Sequence, residues 1–382
     1  MSISLESSAP IVRVSLHPIA MPLVEVLITS FGSESDRDAL RAAVLVELEL
    51  ADGSIGWGEC VASWSPAYSY ETTQTVLHVL QDFMIPAVLG KNSLSELKRY
   101  RGHPMARMGL EAAFWAAVAA QRGVPLGDLI SQGKYTRKDR VVVGVSIGIQ
   151  PSIDETLAII QKRVDEGYQR IKLKIKPGWD VELMRAVRSA FPKIMLMADA
   201  NSAYTLEDAP LLKQLDDLDL LMIEQPLGYL DIYQHGKLQP QFRTPICLDE
   251  SIHTADDVRL MLQIGAGRII NLKPGRVGGI VESLKIHEVC YNEGVPLWVG
   301  GMLETGVGRA ANLAVASLPG VTLPSDLSAT NRYYDPDLTH EVFHLNKADS
   351  TIDVLRGVGL GVTVHPERLS AAEVAYYKAL VG

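Results

Sequence analysis

The sequence predicts an α/β protein, a closed barrel of alternating parallel strands and helices preceded by a smaller α+β domain. Three observations carry this expectation. From Val141 onward, short runs rich in Val, Ile and Leu alternate with amphipathic stretches of helical period. Eight strand candidates recur in that region, the number that closes a barrel. No Gly-x-Gly-x-x-Gly follows a strand and opens a helix, so an open nucleotide-binding sheet lacks its signature.

Residues 1–135 read as the separate α+β domain. It has extended runs over Ile11–Leu16 and Arg41–Leu50, a turn region at Gly53–Gly58, and helices over Thr72–Ile85 and Met105–Arg122. Residues 136–326 read as the barrel. Its strands are expected at Val141–Ile149, Arg170–Ile175, Ile194–Ala198, Leu218–Ile223, Thr244–Leu248, Arg268–Leu272, Pro296–Val299 and Val321–Pro324. Between them, Ile153–Gly167, Val181–Phe191, Leu206–Leu215, Ala255–Gly265 and Val281–Gly294 carry apolar residues at helical spacing, several ending at Gly or Pro. Residues 327–382 are expected to leave the barrel and pack back on the first domain.

A length of 382 residues exceeds a typical domain of roughly 100–150, which suits one large domain with an accessory one. Fractions of 47% hydrophobic and 21% charged residues exclude a disordered chain. A net charge of −9 with scattered Lys and Arg offers phosphates no basic field, so no nucleic-acid partner is expected. Met1–Val14 lacks a basic segment followed by an apolar one, and Ala310–Pro324 is shorter than the ~20 apolar residues that span a bilayer. A cytoplasmic protein without a membrane partner is expected. Cys60, Cys247 and Cys290 stand far apart without Cys-x-x-Cys spacing and read as buried free thiols.

Charged residues fall at the C-terminal ends of successive strands, the rim where barrel enzymes carry their chemistry: Lys172 and Lys174, then Asp199, Glu224, Asp249 and Lys273. The three acids recur every 25 residues, about one β/α unit, so neighbouring strands direct them to one point. Each acid alone reads equally well as a helix cap or a solvated loop residue. Three in register repel unless a cation sits among them, and an all-oxygen set suits a hard divalent ion. A lysine in a barrel mouth loses its proton more readily when buried or beside another cation, which makes it a usable general base. Lys172, Lys174 and Lys176 share one strand face, so alternation alone leaves open which of them is the base.

Lys172-x-Lys174, Asp199-Ala-Asn201, Glu224-Gln-Pro226, Asp249-Glu250-Ser251 and Lys273-Pro-Gly-Arg-Val-Gly-Gly279 resemble the muconate-lactonising branch of the enolase superfamily. Nearly the whole chain fits, from a Gly56-Trp-Gly-Glu-Cys60 turn onward, and the Lys172–Asp180 run resembles the o-succinylbenzoate synthase / N-succinylamino acid racemase family. The resemblance implies a modified TIM barrel, (β/α)7β, with an N-terminal α+β capping domain. It implies Mg²⁺, replaceable by Mn²⁺ or another divalent ion, on Asp199, Glu224 and Asp249. Lys174 and Lys273 would flank the substrate's α-carbon, with Lys172 lowering the pKa of Lys174, and Lys176 stands where relatives often have an acid. Ser146, Asn201, Gly300, Gly301 and Met302 would line the substrate, the glycines allowing its close approach, with Glu250 in support. Arg276 resembles a substrate-site position associated with racemisation. Thr29-Ser-Phe-Gly32 and Ser63–Tyr70 resemble mobile loops that close over the substrate, where Phe31, Trp64, Tyr68 and Tyr70 suit an apolar acyl or aromatic group. The implied partner is a small carboxylate, an N-succinyl amino acid or a cyclohexadiene carboxylate, and the implied assembly is a homo-oligomer.

Removing the proton beside a carboxylate gives an enediolate, which a cation at its oxygens favours. Reprotonation from the opposite face racemises, whereas loss of a β-hydroxyl dehydrates. Other readings fit less well. An acid-sugar dehydratase needs a His near the seventh strand, and Pro296–Met302 has none. Dipeptide epimerases carry Asp-x-Asp after the eighth strand, where this chain has Asp326-Leu-Ser328. Muconate cycloisomerisation is not separated by motif, and a non-catalytic binding barrel would have no use for three acids and two lysines. His103 and His287 read as structural, and Gly-x-Ser-x-Gly is absent.

Overall fold

A computed structural model describes residues 5–33 and 40–381, so the start of the Met1–Val14 segment lies outside the described residues. The N-terminal part holds an antiparallel sheet of β1 (Ile11–Pro22), β2 (Leu40–Leu50) and β3 (Ile55–Cys60), with β2 in the middle. The Ala-Val-Leu-rich β2 is buried along most of its length because α1 (Thr73–Val79) and α2 (Pro104–Gln121) cover the sheet. The Gly56–Cys60 segment is a strand and not the expected turn. Its glycine admits α2: a Cβ on Gly56 would stand 2.1 Å from the Ala113 carbonyl oxygen.

Seven parallel strands follow in sequence order: β4 (Val145–Ile147), β5 (Arg170–Lys174), β6 (Met195–Asp199), β7 (Ile223–Glu224), β8 (Ile246–Leu248), β9 (Ile269–Leu272) and β10 (Leu297–Val299). The eighth, expected at Val321–Pro324, is no regular strand. Thr322 and Leu323 donate to the Leu297 carbonyl on one side and Ser325 to the Val142 carbonyl on the other, which closes the seam. Pro324 has no N–H for a ladder, and the Ser325 hydroxyl instead accepts the Val299 N–H at 3.1 Å.

Two further strands differ from expectation. Val141–Ile149 divides, because Arg140–Val142 pairs outside the barrel with Thr351–Asp353. Leu218–Ile223 shrinks because a 3₁₀ turn runs through Leu218 and Asp219 takes a left-handed φ of 49°. Leu206–Leu215 also forms short 3₁₀ and α turns, where Pro210 withholds a donor. The longer barrel helices α3 (Ile153–Glu166), α4 (Val181–Ala190), α5 (Ala255–Ile264) and α6 (Ile280–Glu293) lie close to their expected spans. Gly167, Gly265 and Gly294 end three of them in the left-handed conformation.

Helix α7 (Gly306–Ala316) leads to the closing segment, and α8 (Pro366–Val381) returns to the N-terminal sheet. There Tyr376 stacks on Trp64 at 4.8 Å and its hydroxyl lies 3.0 Å from Thr73 Oγ1. Two buried glutamates fasten the N-terminal part to the barrel. Glu59 on β3 accepts the backbone N–H of Thr305 and Gly308 at the start of α7, and Glu111 on α2 accepts the Val281 N–H at the start of α6. All three cysteines are free and buried, and among the described residues no helix is long and apolar enough to cross a membrane.

Candidate active site

Alternation along β5 turns Arg170, Lys172 and Lys174 toward the barrel axis, all buried. Below them Met197, Met222, Cys247, Ile269 and Trp298 form an apolar floor, with Arg170 and Lys172 over the Trp298 ring at 5.5 and 5.0 Å. Lys176 follows the end of the strand and is exposed, so the inward triplet begins at Arg170 and stops at Lys174.

The acids meet this row of cations. Asp199 and Glu224 pair across β6 and β7, and Asp249 follows β8, its N–H donating to Gln225 Oε1 at 2.9 Å. Lys172 Nζ lies 3.2 Å from both Asp199 Oδ2 and Glu224 Oε2 and 2.8 Å from Asp326 Oδ2. Lys174 Nζ lies 2.6 Å from Asp199 Oδ2 and donates to Asn201 Oδ1 at 2.6 Å. Across the barrel, Lys273 Nζ lies 2.8 Å from Asp249 Oδ2 and 2.9 Å from the Tyr68 hydroxyl. Five buried cations, Arg170, Lys172, Lys174, Lys273 and Arg276, thus face five buried carboxylates, Asp199, Glu224, Asp249, Glu250 and Asp326.

At Lys172 and Lys273 this pairing runs against the fall in pKa expected of a buried lysine. Burial disfavours the Lys172 ammonium, but Asp326, Glu224 and Asp199 outweigh it and hold the group above its ordinary range. For Lys273, burial is likewise overcome, by the Tyr68 oxygen, Glu250 and Glu224. Asp199 is held well below the carboxylate range: burial acts upward, and Lys174 and Lys172 prevail. Glu224, by contrast, is raised by burial and by neighbouring Asp199.

The donor set suits a divalent cation. Asp199, Glu224 and Asp249 are wholly buried, and all their donors are oxygen. Asp249 Oδ2, although near Lys273, makes no hydrogen bond, and Glu250 Oε2 likewise has none, which leaves buried acceptors unsatisfied. Among the described residues no three acids converge directly in this arrangement, because the ammonium groups stand between them.

A chamber lies above the lysines, with about 60 Å³ free. Lys172, Lys174, Lys273 and Asn201 line it with Ser146, Gly301 and Met302, and its roof is Phe31 and Tyr68, whose rings stand 5.8 Å apart. Tyr70 is exposed and Trp64 turns to Tyr376, so two of the four loop aromatics face the chamber. Ser146 Oγ donates to Asp326 Oδ2 at 2.7 Å, and Asn201 Nδ2 donates to Glu250 Oε1 at 2.9 Å. Gly300 stands outside the chamber lining, and a Cβ there would meet Asn271 Oδ1 at 2.3 Å and Lys273 Cε at 2.8 Å. Arg276 lies outside the chamber wall, donating to Asp249 Oδ1, to the Ile252 carbonyl at 2.9 Å and to the Asn271 carbonyl at 2.6 Å.

Sequence reasoning missed Arg170 and gave Asp326 no part in the site. Arg170 lies two residues before Lys172 on the same strand face, which alternation could have shown. Asp326 bridges Arg170 at 2.6 Å and Lys172 at 2.8 Å, a contact made only when the barrel closes. His287 is structural, its Nε2 accepting the Gly320 N–H at 3.0 Å, and His103 begins α2 in a left-handed conformation.

Charged groups gathered at the C-terminal rim of a parallel barrel, roofed by loops of a second domain, define a barrel enzyme. The Enolase C-terminal domain-like family matches residues 155–368, and the chain belongs to it and so to the enolase superfamily. It is 48% identical to an o-succinylbenzoate synthase of Geobacillus stearothermophilus, over 85% of this chain and 86% of that one. It is 45% identical to an N-succinylamino acid racemase of Thermus thermophilus, over 91% and 93%. A crystal structure of an enolase-superfamily member from Enterococcus faecalis, 38% identical, superposes with a TM-score of 0.87 over 96% of this chain and 98% of that one.

Proposed function

We propose that this enzyme removes and returns the proton beside a substrate carboxylate, acting in the cytoplasm as an N-succinylamino acid racemase, an o-succinylbenzoate synthase, or both. The observation that carries the reading is that Lys174 on the second barrel strand and Lys273 after the sixth line one chamber from opposite sides. A divalent cation, Mg²⁺ in this reading, held by Asp199, Glu224 and Asp249 would supply the positive charge that favours a second negative charge on the substrate carboxylate.

Before the reaction one lysine is neutral and the other an ammonium. The neutral Nζ takes the Cα proton, and the electron pair moves into the carboxylate. Delivery of a proton from the opposite lysine inverts the centre. When the substrate carries a β-hydroxyl, that group leaves as water with a proton from an ammonium, and the electron pair forms the C=C bond. Lys172 lies deeper than either and serves as a fixed positive charge beside Asp199 and Glu224. Tyr68 and Phe31 roof the chamber and exclude water. Phe31 and Tyr68 sit on loops over the chamber, and movement of these loops would admit the substrate.

The epimerase reading fits this segment less well. Asp326 is spent on Arg170, Lys172 and Ser146, and Ser328 donates to the Gly144 carbonyl, so no second acid faces the chamber from there. The test is proton exchange in D₂O with both enantiomers of an N-succinyl amino acid, beside turnover of the hydroxycyclohexadiene carboxylate precursor of o-succinylbenzoate. Exchange or dehydration that stops on chelation and returns with Mg²⁺ is expected; a wild type inert on both substrates overturns the reading.

A further inference from the structure

The chamber is also lined from β2, where a fourth cation, Arg41, joins its wall. Arg41 is 4% exposed. Its Nη1 donates to the Ala42 carbonyl at 2.8 Å and to the Ala62 carbonyl at 3.5 Å, and its Nη2 to the Val61 and Met302 carbonyls at 2.6 and 3.3 Å. Its Nε–H, also buried, has no partner. Among the described residues no carboxylate pairs with it, whereas Lys172, Lys174 and Lys273 all sit against acids. Glu71, in the same wall, is committed elsewhere: its two oxygens accept the backbone N–H groups of Met105 and Ala106 at 2.8 and 3.1 Å.

A buried guanidinium satisfied only by neutral carbonyls is costly, because carbonyl dipoles replace hydration without neutralising the charge. The cost falls when an anion arrives. We propose that Arg41 is the receptor for a second, distal carboxylate on the substrate's acyl arm, bound where Arg41 lines the chamber. Its Nε–H supplies the free donor, and the hydroxyl-bearing residues Ser63 and Ser69 line the same wall. The assignment rests on the two-lysine reading and deepens it. A succinyl amide and a succinyl ketone differ at the reacting end and share the distal carboxylate, so one receptor lets one chamber hold both substrate types.

The experiment compares kcat/KM for α-proton exchange on an N-succinyl amino acid and on its terminal carboxamide, which has the same shape without the charge. A charge-assisted hydrogen bond from a buried donor corresponds to a preference of about 10- to 100-fold for the carboxylate in wild type. Arg41→Met is expected to reduce that preference below about threefold by losing activity on the carboxylate while keeping activity on the amide; Arg41→Lys should lie between. Equal use of the two substrates by wild type overturns the proposal, and this arm needs no variant to fold. A folded Arg41→Met or Arg41→Lys enzyme with the full wild-type preference also overturns it. No exchange of either substrate by wild type overturns the racemase reading on which this assay rests, a result distinguishable from equal use.

Discussion

Two regions of this molecule bury carboxylates in opposite ways. Inside the barrel, four of the five acids pair with cations: Asp326 bridges Arg170 and Lys172, Asp199 bridges Lys172 and Lys174, and Glu224 and Asp249 meet Lys172 and Lys273. In the N-terminal domain and its seam with the barrel, Glu59, Glu71 and Glu111 are equally buried but meet the N–H groups that open helices. The consequence appears in their protonation. Asp326 is held far below the carboxylate range, where burial is overcome by Arg170 and Lys172. Glu59, Glu71 and Glu111 are each pushed up to about 7, because burial outweighs what neutral donors return. Helix N-termini satisfy hydrogen bonds there without supplying a full charge. Asp326 and Asp199 therefore keep their charges through the neutral pH range while the seam glutamates titrate within it.

The largest expected effect tests the barrel side. Lys273→Ala should lower interconversion of N-succinyl enantiomers by at least about 10²-fold, since general acid–base groups contribute roughly 10²–10⁴. Lys174 should still exchange the proton of the one enantiomer that faces it, and Lys174→Ala should give the mirror pattern. Interconversion near the wild-type rate in either variant would refute the two-base assignment. Next comes Asp326→Ala, which strands Arg170 and Lys172 in the interior. Breaking a buried pair in this way costs about 3–5 kcal/mol, read as a lower denaturant midpoint. A depressed folded pKa makes that stability present above about pH 4 and lost as pH falls, so the deficit should be constant between pH 5 and 8.

The seam should behave in the opposite sense. A folded pKa raised above the unfolded value of about 4.3 gives stability that is fully present below that pH and lost as pH rises through about 7. Glu111→Gln keeps an acceptor for the Val281 N–H and removes the titration. Its stability relative to wild type should therefore improve by about 2–3 kcal/mol between pH 5 and pH 8. A difference that stays flat over this range would mean that Glu111 is ionised throughout, and the contrast with the barrel would fail.

The same contrast explains what was legible in the sequence. Barrel topology and the strand-end charges showed in the text because each β/α unit repeats, which puts Asp199, Glu224 and Asp249 at equal intervals. Alternation also placed Lys172 and Lys174 together, but the strand's end was misjudged, so Lys176 displaced Arg170 from the expected triplet. Contacts that depend on closure or on domain docking left no local trace. Glu59 reads as part of a glycine-rich turn until α7 arrives, and Arg41 as one residue of an extended run until Val61, Ala62 and Met302 surround it. The eighth strand was misread because an apolar run ending in Pro324 carries strand propensity without the donor that a ladder needs.

The smallest effect expected belongs to Lys176, and its smallness is the point. Lys176 stands two residues beyond Lys174, yet it is exposed and lies past the last residue of β5, while Lys172 and Lys174 are buried among Asp199, Glu224 and Asp326. A charge in water is screened over about 8 Å at physiological ionic strength, whereas charges inside the barrel act through low dielectric. Reversing the sign with Lys176→Glu should therefore change kcat/KM by less than about threefold at 0.15 M salt, and any change should shrink as salt is added. The proper comparison is Lys172→Ala in the same assay, which removes one charge from the interior and should cost far more. If Lys176→Glu matched it, or if its effect survived high salt, the relevant field would extend through the strand end, and the division between a charged barrel interior and a screened rim would have to be redrawn.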